Sequence, residues 1–199
     1  DEDPASVDCV VEPDITLRKE VSLDGGPFLD ANTPDTGPSG PLGADAEYRL
    51  VVENTGIETL VQAVITDATL GLFDVAVPGG PMLPGDIRTI VQGDAGFGSL
   101  YYIDRCDVTG EKLNTARVDA EGEWSGDKVE SEDPAWVTCE DPQIELLKQV
   151  SLDGTNFFDA DQPGDADVPV GQVGLTNATY RFIVTNIGTE ALTNVTVVD

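Results

Sequence analysis

The stretch ITLRKEVSL, residues 15–23, decides how the rest of the chain is read. Ile15, Leu17, Val21 and Leu23 alternate with Thr16, Arg18, Glu20 and Ser22, the period of two of a half-buried strand. Lys19 falls on the apolar side of that alternation. A cationic side chain aimed at a core must be paired, neutral or bent out to the rim. The arrangement recurs: in IELLKQVSL, residues 144–152, Ile144, Leu146, Val150 and Leu152 flank Lys148 on one face.

Two further matches keep the same order. DEDPASVDC at 1–9 matches SEDPAWVTC at 131–139, and AEYRLVVENTGIETLVQAVITD at 46–67 matches ATYRFIVTNIGTEALTNVTVVD at 178–199. The three offsets are 130, 129 and 132 residues, so the sequence is built on a repeating unit. In that register, residues 1–9 are the last strand of a preceding unit, 10–139 a complete unit, and 140–199 the front half of the next. We expect a window on a longer array, or a subunit completed by its neighbours. Donation of residues 1–9 as a single strand supplies too little to complete the last unit.

Within the complete unit, strands are expected near 15–23, 46–54, 59–67, 71–77, 87–93, 99–106, 112–120 and 132–139, one of the middle pieces being short or irregular. DGG, NTG, PGGP, LPGD and VTGE separate them. Short strands at this spacing without amphipathic helices predict an all-β fold, an antiparallel β-sandwich of immunoglobulin-like type repeated in tandem.

Composition narrows function. The chain has 38 acidic and 10 basic residues, a formal net charge of −28. Such a surface repels nucleic acid and anionic membranes, and no apolar run is long enough to span a bilayer. No leader is visible, so a mature or excised segment is expected. With no His, three Cys, and no Walker, HExxH or GxSxG pattern, an enzyme is not expected.

The order of strand with Lys, SLDGGPFLDA, YRLVVENTG, VITD, MLPGD and LNTARV resembles the prokaryotic conserved-repeat family of immunoglobulin-like surface domains, known as domain of unknown function eleven. The resemblance covers 15–139 and 144–199. It implies tandem modules in secreted or cell-surface proteins, as stalks, adhesins and sheath or filament components, and implies no enzymatic activity.

Four sets of residues are candidates for chemistry. Asn114 shares parity with Ala116 and Val118, and Asp67 shares a face with Ala63 and Ile65, so both point inward with Lys19. Burial lowers a lysine pKa and yields a nucleophilic amine, which a nearby carboxyl could help attack the Asn114 amide. Such a crosslink resembles those of immunoglobulin-like modules in some adhesins and pili. A Lys19–Asp67 ion pair at the rim, or a bulge that misaligns the face, are the alternatives that stay open.

The second set is the cysteines. Cys139 is the copy of Cys9, and the strands carrying Cys106 and Cys139 should end at one pole, with Cys9 at the other. A Cys106–Cys139 disulfide is expected, and with it an oxidising extracellular compartment; free buried thiols are the alternative.

Third, Asp24, Asp30 and Asp35 in the first copy, and Asp153, Asp159, Asp161, Asp165 and Asp167 in the second, lie in Gly-containing loops. Calcium takes six to eight oxygens and such loops supply several, although Asp-Gly also simply makes turns. Fourth, Asn177-Ala-Thr and Asn194-Val-Thr are glycosylation sequons, and Gln62 stands at the place of Asn194 in the first copy. Trp124 and Trp136 fit core or inter-domain packing better than a carbohydrate platform.

The leading expectation is an extracellular structural protein, a stalk or filament whose partners are neighbouring repeats or copies. An adhesin-type module binding a glycan, calcium or a host protein is the alternative.

Overall fold

A computed structural model describes residues 12–103, 105–162, 167–172 and 177–199. The described residues are mostly β, with two three-residue 3-10 turns, Pro34–Thr36 and Gly98–Leu100, as helical elements. No helix among them is long and apolar enough to cross a membrane. The chain divides into two compact units between Glu140 and Asp141.

The first unit holds two five-stranded sheets. In one, β1 (Ile15–Leu23) is flanked by β2 (Leu29–Asp30) and β4 (Ala46–Asn54). β7 (Ile87–Ile90) continues the sheet beyond β4, which also pairs with β8 (Tyr101–Tyr102). The other runs β3 (Ser39–Pro41), β10 (Lys128–Glu140), β9 (Gly110–Gly122), β5 (Leu60–Asp67), β6 (Leu72–Ala76). All ladders are antiparallel except β3–β10, which is parallel with Ser39 opposite Thr138.

Alternation explains the core. Ala46, Tyr48, Leu50 and Val52 of β4 and Ile15, Leu17, Val21 and Leu23 of β1 are buried. They meet Ile65 of β5, Ala116, Val118 and Ala120 of β9, and Ala135 and Val137 of β10 in one cluster. Each large aliphatic side chain so buried contributes about 1.5–3 kcal/mol. β5 carries one extra residue: its register on β9 shifts between Val61 and Val64, and Gln62 has φ 53°. Leu60 and Ala63 therefore both face inward, and Ile65 and Asp67 resume the alternation.

Several expected strands change. In place of a strand at 99–106, the 3-10 turn Gly98–Leu100 leads into the two residues of β8, whereas 112–120 is the middle of a thirteen-residue strand, β9. β2 and β3 come from Pro- and Gly-rich segments in which no strand is expected. Trp124 does not pack in the core of its unit: it sits in the β9–β10 turn, 82% exposed. Trp136 on β10 is half-buried.

At the rim where β1 approaches β10, side chains satisfy the backbone. Leu17 N–H donates to Ser131 Oγ at 3.1 Å and Lys19 N–H to Asp133 Oδ2 at 2.6 Å. Pro134, which has no N–H to give, occupies β10 next to this stretch without breaking its ladder to β9.

The second unit contains β11 (Ile144–Ser151) paired with β12 (Thr179–Asn186), Lys148 opposite Phe182. The turn after β12 repeats the turn after β4. Asn54 Oδ1 accepts from Gly56 N–H and its Nδ2 donates to the Glu58 carbonyl; Asn186 does the same with Gly188 and Glu190. A Cβ on Gly56 would lie 2.4 Å from Asp14 N, and one on Gly188 2.2 Å from the Asp141 carbonyl oxygen, so both turns demand glycine.

Candidate functional site

The site begins with the lysine on the wrong face. β1 alternation carries Lys19 inward between Leu17 and Val21, where it is fully buried. β5 ends at Asp67, whose carboxylate is buried and accepts from Lys19 Nζ through Oδ2. Asp67 Oδ1 also accepts from Leu70 N–H at 3.1 Å, which fixes the carboxylate against the turn that follows. The pair is therefore at the core, not at the rim.

Tyr48 of β4 forms the floor. Its ring lies 4.7 Å from Lys19 Nζ, a cation–π arrangement in a site without water contact. Its hydroxyl accepts from Arg105 Nε at 3.1 Å, and Arg105 Nη2 donates to the Leu113 carbonyl. Asn114 of β9 lies beside the same hydroxyl, near enough to bear on its ionisation. Yet neither Asn114 Nδ2 nor Oδ1 has a partner in hydrogen-bonding geometry, and among the described residues these are the buried side-chain atoms left so. Most buried polar groups are satisfied, so an orphaned primary amide in the core calls for a reason.

The electrostatics follow from burial. Desolvation lowers the Lys19 pKa from 10.5 to about 8, against the opposing pull of Asp67, with Arg105 lowering it further and Asp133 raising it. Desolvation likewise raises the Tyr48 phenol above its ordinary value, opposed by Arg105 and Asn114. Asp133 is pushed up, mainly by burial, although the Lys19 N–H bond stabilises its charged form. The lysine thus gives up a proton more readily than one in water.

Parity alone places Lys19, Asp67 and Asn114; it does not announce Tyr48, Arg105 and Asp133. Tyr48 shares the inward parity of Leu50 and Val52, a signal that an ordinary core residue gives equally well. Arg105 carries none, since it precedes Cys106 in a segment without regular alternation. That segment is bonded to β10: Cys106 and Cys139 form a disulfide with Cα atoms 5.2 Å apart. Cys9 lies outside the described residues.

Several carboxylates of the acidic loops accept hydrogen bonds from nearby groups. Asp24 Oδ1 accepts from Asp45 N–H, Asp30 Oδ1 from Asn32 Nδ2, and Asp35 is exposed in the first 3-10 turn. Asp153 accepts from the backbone N–H groups of Asn156 and Thr155 and from the Asn156 and Ser151 side chains, which hold its carboxyl well below the usual range. Asp159 is raised, first by desolvation and then by Asp161 and Asp167. Asp165 lies outside the described residues. Among those described, no group of three or more acidic or thiol side chains is arranged to hold a metal ion. Asn177 and Asn194 are both exposed, and Asn194 has φ 55° at the position equivalent to Gln62.

The second unit repeats the lysine pair without its enclosure. Lys148 Nζ donates to Asp199 Oδ1 and lies 5.0 Å from the Tyr180 ring, with side-chain exposures of 45% and 55% for the ion pair. Compared with protein-family models, curated proteins and solved structures, the chain matches none.

Proposed function

We propose that this chain is a load-bearing segment of an extracellular array: tandem immunoglobulin-like β-sandwiches forming a stalk or filament, whose partners are neighbouring repeats or copies. The observation that carries the reading is the recurrence of one local structure in both units. The Lys–Asp pair, the aromatic beneath the lysine and the Asn-x-Gly turn all return at the offset found in the sequence. A unit repeated with its local geometry intact suits an end-to-end assembly.

Other features support it. The Cys106–Cys139 disulfide fits an oxidising compartment and ties the segment before β9 to the last strand of the unit. The units are joined at Glu140-Asp141-Pro142-Gln143, a short Pro-containing link that leaves little slack. The net charge of −28 keeps such surfaces solvated and repels nucleic acid.

Negative-stain electron microscopy of native material tests the reading. Regular end-to-end assemblies with an axial repeat set by one unit are expected. Dispersed particles that bind an immobilised glycan saturably would replace the stalk with an adhesin.

A further inference from the structure

We propose that Lys19 and Asn114 become joined by an intramolecular isopeptide bond, with Asp67 as the proton carrier. The three side chains come from β1, β9 and β5, and the three residues are 0%, 1% and 1% exposed. Lys19 Nζ is bonded to the Asp67 carboxylate. The register Thr66 opposite Arg117 brings the inward side chain of Asp67 alongside Ala116 and Asn114 on the neighbouring strand. Lys19 and Asn114 also share Tyr48, the first over its ring and the second beside its hydroxyl.

The unsatisfied carboxamide is the observation that a plain ion pair leaves unexplained. If Lys19 and Asp67 served only as a buried pair, Asn114 could be an apolar residue at no loss, and a more stable unit would result. As a reactant, its lack of partners is an advantage: Nδ2 and Oδ1 are held by nothing that must be broken before the amide carbon is attacked.

The chemistry balances without a co-reactant. A proton passes from the Lys19 ammonium to the Asp67 carboxylate, leaving a neutral amine and a carboxylic acid. Nζ attacks Cγ of Asn114, forming the Nζ–Cγ bond. Asp67 gives its proton to Nδ2 and takes the second proton from Nζ; the Cγ–Nδ2 bond breaks and ammonia leaves. The products are a secondary amide, ammonia and a protonated Asp67. Arg105, bonded to the Tyr48 hydroxyl beside Asn114, supplies a positive charge in the pocket where negative charge develops on the amide. A site closed to water keeps hydrolysis from competing.

The second unit supplies an internal control. Lys148 has its Asp199, but this 199-residue chain carries one complete Lys–Asp–Asn set, so one crosslink is expected and not two. The inference stands apart from the stalk reading, since a mass measured on the isolated chain is indifferent to assembly.

The test is intact mass of the purified, reduced and denatured 199-residue chain, followed by tryptic mapping. The expected mass is about 17 Da below that of the sequence, one ammonia. Trypsin should fail after Lys19 and yield a branched peptide joining residues 19–49 to 113–117. Asn114→Ala and Asp67→Asn should each return to the full sequence mass and release 113–117 as a free peptide, carrying the substitution in the first and unaltered in the second. A wild-type chain at full mass, cleaved after Lys19, overturns the proposal whether or not the variants fold. A mass deficit without the branched peptide overturns it as well, because it marks cyclisation elsewhere. A branched peptide in Asp67→Asn removes Asp67 from its role.

Discussion

Lys19 and Lys148 make nearly the same contacts in two very different media. Each is bonded to the aspartate that ends the matching segment, and each lies about one ring's distance from a tyrosine on the neighbouring strand, 4.7 Å for Tyr48 and 5.0 Å for Tyr180. The Lys19 pair is sealed, whereas the Lys148 pair is about half exposed. The contacts are therefore a local property of the first strands and their register, while the medium is set by β9 and β10, which belong to the first unit and have no counterpart among the described residues of the second. Reactivity belongs to the medium. Desolvation in the core makes the Lys19 amine give up its proton more readily than one in water.

The largest consequence is the cost of removing the carboxylate. In the Asn114→Ala background, where Lys19 stays a free amine, Asp67→Ala leaves it buried without its counter-charge, so the first unit should lose about 3–5 kcal/mol relative to Asn114→Ala alone. Asp199→Ala removes an exposed partner and should lose less than about 1 kcal/mol. Denaturant unfolding of the two variants measures both, and equal losses would show that burial does not separate the pairs.

The disulfide gives the next contrast. It closes a loop between residues 33 apart in the first unit, and residues 141–199 contain no cysteine. Reduction should destabilise the first unit by about 3–4 kcal/mol on the chain-entropy account. Hydrogen exchange locates the effect: amides of β1, β4 and β9 should exchange faster after reduction, and those of β11 and β12 should keep their rates.

Much of this contrast is legible in the order of residues alone. β1 and β4 have the bounds that alternation gives them, because DGG and NTG stop each strand with residues that cannot continue it. The inward lysine, aspartate and asparagine follow from the same parity. Three features leave no such trace. β2 and β3 pair through two or three residues of Pro- and Gly-rich chain, where nothing alternates and a distant strand supplies the partner. The extra residue at Gln62 changes which side chains face inward on β5 without altering its composition. Arg105 and Asp133 act on the lysine through tertiary approach of segments far apart in sequence, which no local pattern encodes.

Alkaline pH separates a free buried amine from a crosslinked one by a smaller amount. Asn114→Ala keeps Lys19 as a free buried amine with its folded pKa near 8, below the unfolded value of 10.5. Between those values the unfolded chain binds more protons than the folded one, so stability should rise with pH from about 8. Tyr48 acts in the opposite sense above pH 10, because burial raises its phenol and the unfolded chain loses that proton first. The variant should therefore gain about 2 kcal/mol between pH 8 and 10. Asp67, Arg105 and Asp133 are the charged groups facing the amine, and none is removed by the substitution. The crosslinked wild type has an amide in place of the amine and should lack this rise. Urea midpoints of both proteins across that range give the comparison, and parallel curves would contradict it.

The smallest effect is the one expected at Lys148. Its ion pair faces solvent, where ordering two side chains offsets much of the attraction and added salt screens the remainder. Lys148→Ala should change the stability of the second unit by less than about 1 kcal/mol, and the change should shrink in about 1 M salt. Hydrogen exchange of β11 and β12 amides at low and high salt reads it out. A loss that is large and insensitive to salt would mean that this pair, too, is enclosed in solution, and that enclosure comes with the strand pair itself and not with the later strands of the unit.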